Sequence, residues 1–267
     1  MRPIALIAVN VFRESVRDKV LYNLVLFAVA LIGASYVIGQ LTAGQDIKII
    51  KDLGLAAISL FGLFIAVFIG IGLVSKEVEK QSVYALLAKP VTRTDIVLGK
   101  YAGLILTLAV NLAVMTVALY AVLAVMAWMG MHPTPGLDPA TLDPGLLTAI
   151  ALIFVELAVV TAIALFFSTF STPMLSAALT FAFFIAGRFS TDLDHFNTVT
   201  DSRAALWLTT GLYWVLPNFG PFDVRAEVVH GQPLPTGEIL MTVLYGVLYT
   251  SALLVAATFV FSRRDFK

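Results

Sequence analysis

Six runs of apolar residues divide the chain, each about as long as a helix that crosses a bilayer. Such a helix needs about 20 predominantly apolar residues for a hydrocarbon core of roughly 30 Å. The runs lie at about 20–41, 53–74, 101–131, 146–170, 173–189 and 237–261. Polar and turn-forming joints separate them: LTAGQDIKIIKD after the first, HPTPGLDPATLDPG after the third, STFSTP after the fourth, and a long polar stretch over 191–236 after the fifth. The second joint is of another kind. KEVEKQSVYALLAKPVTRTDIVLGK is a charged island with its own period. Val78, Val83, Leu86 and Leu87 make an interrupted apolar stripe while Lys76, Glu77, Glu79, Lys80 and Gln81 stay in water, the pattern of a short amphipathic helix. Pro90 has no amide hydrogen and biases Lys89 away from helical ψ, so that helix stops there. Thr92 or Thr94 then caps a new helix, with Asp95 in its first turn, that runs through Leu98 into the third span.

The N-terminal segment has a helical period as well. Ile4, Ile7, Ala8, Val11 and Phe12 share one face, and Arg13, Glu14, Arg17, Asp18 and Lys19 cluster toward the end. This predicts a helix lying in the headgroup plane, against the alternative of a plain tail whose basic residues anchor the first span. Between the fifth and sixth runs, Asp201 or Ser202 can cap a helix carrying Trp207, Tyr213 and Trp214. Its aromatic rings suit the bilayer interface, and it is too short to span. Pro217, Gly220, Pro221, Pro233 and Pro235 break the remainder of that stretch into turns.

Composition agrees with this pattern. With 60% hydrophobic and 13% charged residues and a mean hydropathy of +0.94, the chain reads as an all-α integral membrane protein of six transmembrane helices. An interfacial elbow helix precedes them, a cytoplasmic helix joins spans two and three, and an external helical segment joins spans five and six. The whole chain, 1–267, forms one transmembrane domain, with no room for a soluble catalytic one. The net charge of zero gives no sign of a nucleic acid partner. Its distribution says more, because Lys and Arg in short flanks mark the cytoplasmic side. With both termini inside, twelve of the 17 basic residues face the cytoplasm, among them Lys76, Lys80, Lys89, Arg93 and Lys100. The charged island is then cytoplasmic, where both signs of charge in front of an apolar stripe suit docking to a soluble partner better than simple solvation.

The most expensive residue within the spans is Glu156, in ALIFVELAVV, about ten residues and so roughly 15 Å from the end of the fourth run. A carboxyl at that depth sits neutral and hydrogen-bonded, faces a wet cavity, or pairs with a cation. Arg188, near the end of the fifth run, is the nearest obvious cation, across an axial gap of very roughly 10 Å. Glu156 either lines a cargo route or closes an interhelical bond, and both readings remain open; Asn111 in the third run reads mainly as interhelical glue. Small residues recur at helical spacing at Gly62, Ala66 and Gly70, at Gly99 and Gly103, and at Ala158 and Ala162, and permit close helix approach without saying to what. With no Cys, dispersed Met, and only His132, His195 and His230, the chain shows no metal site. It also shows no catalytic constellation. Gly99-Lys100 is no phosphate loop, since Tyr101 follows it and Thr94 stands where the first Gly is needed.

The order of spans, the amphipathic start, the tail FSRRDFK, and above all IGLVSKEVEKQSVYALLAKPVTRTDIVLGKYAGL resemble the ABC-2 type permease family. Within it the motif from Glu77 to Lys100 is similar to the branch associated with multi-copper enzyme maturation. The resemblance implies that Lys76, Glu77, Glu79, Lys80, Val83, Leu86, Leu87, Lys89 and Arg93 form the coupling element pressed by a cytoplasmic ATPase. It implies two ATPase subunits, which carry the ATP and Mg, and a second permease half, normally an identical copy. Glu156, Arg188 and Asn111 would then be candidates for the translocation path, and Trp207, Tyr213 and Trp214 would form an external cap that seals the dimer or meets an extracytoplasmic partner. Function reads first as the permease of an ATP-driven exporter. Two alternatives stand beside it: ATPase-driven force transmission to an external partner without transport, and a carrier driven by an ion gradient through Glu156.

Overall fold

The computed structural model describes residues 3–40, 46–79, 92–128, 143–190 and 216–263. Within them the fold is eight α-helices and one 3-10 turn, without strands. In chain order the helices are α1 (Pro3–Ser15), α2 (Lys19–Gln40), α3 (Asp46–Glu79), α4 (Arg93–Trp128), α5 (Pro144–Ser168), α6 (Pro173–Arg188), α7 (Arg225–Val229) and α8 (Thr236–Arg263). The five long apolar helices α2, α3, α4, α5 and α8 each have the length and composition to cross a membrane. The predicted fifth span, α6, has 16 residues, about 24 Å at 1.5 Å per residue. It is therefore shorter than a full hydrocarbon core, bounded by Pro173 and by the turn at Phe189 as its run in the sequence is.

Two boundaries differ from the sequence reading. The polar turn IKIIKD is helical, because α3 already begins at Asp46. The same helix of 34 residues runs unbroken into the charged island, so Lys76, Glu77 and Glu79 extend the second span's helix rather than open a separate one. No Pro or Gly lies between Val74 and Glu79 to stop it. Lys80, Val83, Leu86, Leu87 and Lys89, and the side chains of Lys76, Glu77 and Glu79, lie outside the described residues, as do Trp207, Tyr213 and Trp214.

The start of α4 is set by a reciprocal cap at Thr92. Its Oγ1 accepts from the amide of Asp95 at 3.2 Å, and its own amide donates to Asp95 Oδ2 at 3.1 Å. Helix α5 begins on Asp143, whose Oδ1 accepts from the Gly145 amide at 2.9 Å, followed by Pro144 at the first helical position.

Helices α3 and α5 form the centre: 72% of the apolar window of each is buried, against 11% for α8. Small residues let them approach. A Cβ at Gly62 would lie 2.4 Å from Leu157 Cδ1, and one at Gly70 would lie 2.7 Å from Ala164 Cβ. In a membrane, where lipid tails are as apolar as side chains, such close contact is a main source of helix association. The stripes at Gly62, Ala66 and Gly70 and at Ala158 and Ala162 thus serve the inside of this chain. Exposed apolar residues on α2 and α8, such as Leu26, Phe27, Leu240, Val247 and Val255, are what a bilayer-facing surface requires.

The helices alternate in direction, which defines two ends. The elbow end holds α1, the end of α3, the start of α4 and the end of α8. There α1 lies along α4, and Gly99 and Gly103 are the seam: a Cβ at Gly99 would fall 2.7 Å from Ile7 Cβ, and one at Gly103 2.6 Å from the Ala8 carbonyl oxygen. Val11 and Ser15 are buried there and Leu6 and Val9 are exposed, so the apolar face read from the sequence is the face that packs. Arg93 adds a polar tie, its Nη1 donating to the carbonyls of Phe261 at 3.1 Å and Ser262 at 2.6 Å in α8.

Candidate functional site

At the opposite end, the segment after α6 turns back onto the bundle, and aromatic packing fixes its path. Gly187 is required here, because a Cβ would lie 2.5 Å from the Pro217 carbonyl and 2.7 Å from the Phe219 ring. The Phe219 amide donates to the Gly187 carbonyl at 3.2 Å. Phe219 and Phe222 are fully buried in a run of rings from Phe184 through Phe219 and Phe222 to Tyr245 and Tyr249, with centroids 5.4 to 6.3 Å apart. Tyr245 also accepts the Asn218 amide on its hydroxyl at 2.8 Å, and the Asn218 side chain accepts from the Gly220 amide at 3.0 Å. A 3-10 turn at Gly220–Phe222 then delivers Asp223, and α7 starts on Arg225.

That path builds a ladder of four charges. Glu156, midway along α5 and about 18 Å from its start, is 1% exposed. Its Oε1 lies 2.8 Å from Arg188 Nη2, which also donates to Oε2 at 3.2 Å. Arg188 is the last residue of α6, where a cation also meets the negative end of the helix. Its other branch, Nη1, donates to Asp223 Oδ2 at 2.9 Å, and its guanidinium stands 5.5 Å from the centre of the Phe184 ring. Asp223 is gripped again by Arg225, Nε to Oδ1 and Nη2 to Oδ2, both at 2.7 Å. This is the bidentate fork that favours Arg over Lys. Exposure rises from Glu156 at 1% to Asp223 at 30%, so the ladder leads from the interior to the rim, and its formal charges cancel.

Electrostatics at the rim follow the contacts. The Arg225 hydrogen bonds hold the Asp223 carboxyl below the usual carboxylate range, outweighing partial burial, with the charges of Arg225 and Arg188 adding to the effect. The Asp223 hydrogen bond in turn raises Arg225. A second ion pair stands apart on the same end. Lys51 Nζ donates to Asp143 Oδ2 at 2.6 Å, joining α3 to the start of α5, and the Tyr120 hydroxyl of α4 donates to the Asp143 carbonyl at 3.4 Å.

Of the residues read from the sequence as path candidates, the structure brings Glu156 and Arg188 together. The axial gap is closed by the long Arg side chain at the end of α6. Asn111 does not join them. Among the described residues its amide donates to the Thr107 carbonyl of its own helix at 2.8 Å, so a bond across helices is not its observed use. Asp223 and Arg225 escaped the sequence reading as site residues. The available sign was an Asp-Val-Arg step just after a Pro/Gly turn, where the acid and the base flank one corner.

The family described as ABC-2 family transporter protein matches residues 5–266, nearly the whole chain, and the chain belongs to it. It is therefore a multi-pass membrane permease subunit of an ABC transporter, a non-catalytic subunit whose family works with a partner ATPase. The match does not single out the branch associated with multi-copper enzyme maturation. None of the curated proteins compared with the chain matches it.

Proposed function

We propose that this chain is the permease half of an ATP-driven exporter in the cell membrane, with both termini and the elbow end in the cytoplasm. Two copies pair, and each receives the stroke of its own ATPase subunit, which carries the ATP and Mg. The charged island from Lys76 to Lys89, with Arg93, is the contact on which that subunit pushes. The observation that carries this reading is the mechanical layout around the island. It joins the end of the central helix α3 to the start of α4, and α4 is seamed to α1 through Gly99 and Gly103 and tied to α8 through Arg93. A displacement of the island therefore reaches α1, α3, α4 and α8 together. The concentration of Lys and Arg at the same end supports its cytoplasmic placement.

In this reading the ladder is the gate at the far end. Glu156 and Arg188 stay paired in the resting state and separate as α5 and α6 shift, opening a polar route. The fixed counter-charge on Glu156 weighs against a carrier driven by an ion gradient through that carboxyl. Reconstitution with the ATPase subunit tests the proposal. Reversing Glu77 and Glu79 together to Lys is expected to abolish permease-dependent ATP hydrolysis while the chain still assembles in the membrane, and Trp207→Ala is expected to leave it intact. Wild-type hydrolysis in the Glu77→Lys/Glu79→Lys chain would falsify the contact.

A further inference from the structure

A groove of about 890 Å³ opens beside the outer rung of the ladder, between the last turns of α2, the first turns of α3, and α7. Its size is that of a small-molecule site. The lining carries both signs of charge, Lys48 and Arg225 against Asp52, Asp223 and Glu227. Three of these have groups left wanting. The Oε2 atom of Glu227 is buried and has no hydrogen-bond partner among the described residues, and no described residue pairs with Lys48. Arg225 spends Nε and Nη2 on Asp223, so its Nη1 has no described acceptor. A carboxylate with a buried oxygen and no donor is costly, and Lys48 and the Nη1 of Arg225 stand on the same lining without a described acceptor, so the groove is complementary to a molecule that supplies a cation and an anion together. Its remaining wall is apolar, from Leu53 of α3 to Ile38 of α2. Ile38 is 42% exposed on a helix that faces lipid, so an acyl chain can leave the groove directly into the bilayer.

We propose that this groove binds a zwitterionic headgroup, an ammonium and an oxyanion a few bonds apart, with the oxyanion on Lys48 and Arg225 and the ammonium on Glu227 and Asp52. The inference does not depend on the exporter reading, since cargo and resident lipid would be held by the same groups. Because Asp223 holds both Arg225 and Arg188, an oxyanion that draws Arg225 into the groove also weakens the outer rung of the ladder. The site thus stands where occupancy and the Glu156–Arg188 pair can be linked.

Binding to the purified full chain in detergent tests this, with short-chain phosphatidylethanolamine, short-chain phosphatidylglycerol and water-soluble glycerophosphoethanolamine as probes. The zwitterionic lipid is expected to bind at least about tenfold more tightly than the purely anionic one, the loss expected when charged hydrogen bonds go unmade. Lys48→Ala and Glu227→Gln should each weaken it by a similar factor, while Glu238→Gln, exposed in the first turn of α8, should not. Saturable binding of the soluble headgroup would show that the head alone suffices, and binding of the lipid only would show that the chain is needed; both support the site. Equal affinity for the two lipids in the wild-type chain overturns the proposal, and so does full retention of affinity in both variants.

Discussion

The two ends of this permease are held by different physics. At the elbow end, α1 is fastened to α4 by the absence of side chains: Gly99 and Gly103 let backbone meet backbone, and the contact consists of many weak dispersion terms that act only at close range. At the ladder end, four charged groups hold α5, α6 and the returning segment through a few strong, directional bonds. Packing of the first kind has one good arrangement and resists gradual deformation. Ion pairs of the second kind can exchange partners, because Arg188 and Asp223 each already serve two. The comparison teaches that the elbow end is rigid and the ladder end is a latch that can be remade; under the proposed function the first is the coupler on which the stroke enters.

The largest expected effect breaks the latch. Arg188→Ala strands the Glu156 carboxylate in the interior and frees Asp223, and losing one partner of a buried pair costs about 3 to 5 kcal/mol. Thermal unfolding in detergent should show a large drop, and adding Glu156→Gln should recover much of it by removing the stranded charge. A double variant no more stable than Arg188→Ala alone would mean that the pair is not the origin of the loss.

Next comes the coupler. Gly103→Leu forces a side chain into the Ala8 backbone and Val11, an overpacking cost of about 1 to 3 kcal/mol. Hydrogen exchange should rise over Pro3–Ser15 and remain as in the wild type around Asp223. Combining it with Arg188→Ala sharpens the comparison, since distant sites add to within about 0.5 kcal/mol; a clear departure from additivity would show the two ends to be one cooperative unit.

Smaller still is Arg93→Ala, which removes two hydrogen bonds to the last carbonyls of α8 at a half-buried position and should cost about 1 kcal/mol. The measurable consequence is faster exchange confined to the end of α8. The smallest effect is on acid stability. Because Asp223 titrates below its ordinary value of 3.8 in the folded chain, its contribution is complete above about pH 4 and fades as the pH falls through the lowered value. Asp223→Asn should remove that acid-range slope and leave the dependence at neutral pH unchanged.

Much of the candidate site was legible in the chain before folding. Glu156 stood out because a carboxyl within an apolar run demands compensation, and Arg188 was the cation within reach. Thr92 or Thr94, with Asp95 following, announced the start of α4 by cap chemistry, the structure choosing Thr92, and the face of α1 followed from its period. The small-residue stripes were visible too, but their partners were not. Gly62 and Gly70 could equally have served a second copy, and only the fold sets them on Leu157 and Ala164 of the same chain. Asp223 and Arg225 were hidden for a related reason: in sequence they are ordinary loop charges, 35 and 37 residues from Arg188.

Class, family resemblance, helix starts and the need for a counter-charge are properties of local composition and spacing, because the bilayer imposes length and apolarity on each helix separately. Which helices become central, which glycines face which neighbours, and how one arginine comes to bridge a carboxylate in the interior and another at the rim depend on segments far apart in the chain. Those choices rest on packing and on ion-pair geometry accurate to tenths of an ångström, and no periodicity along the sequence encodes such distances.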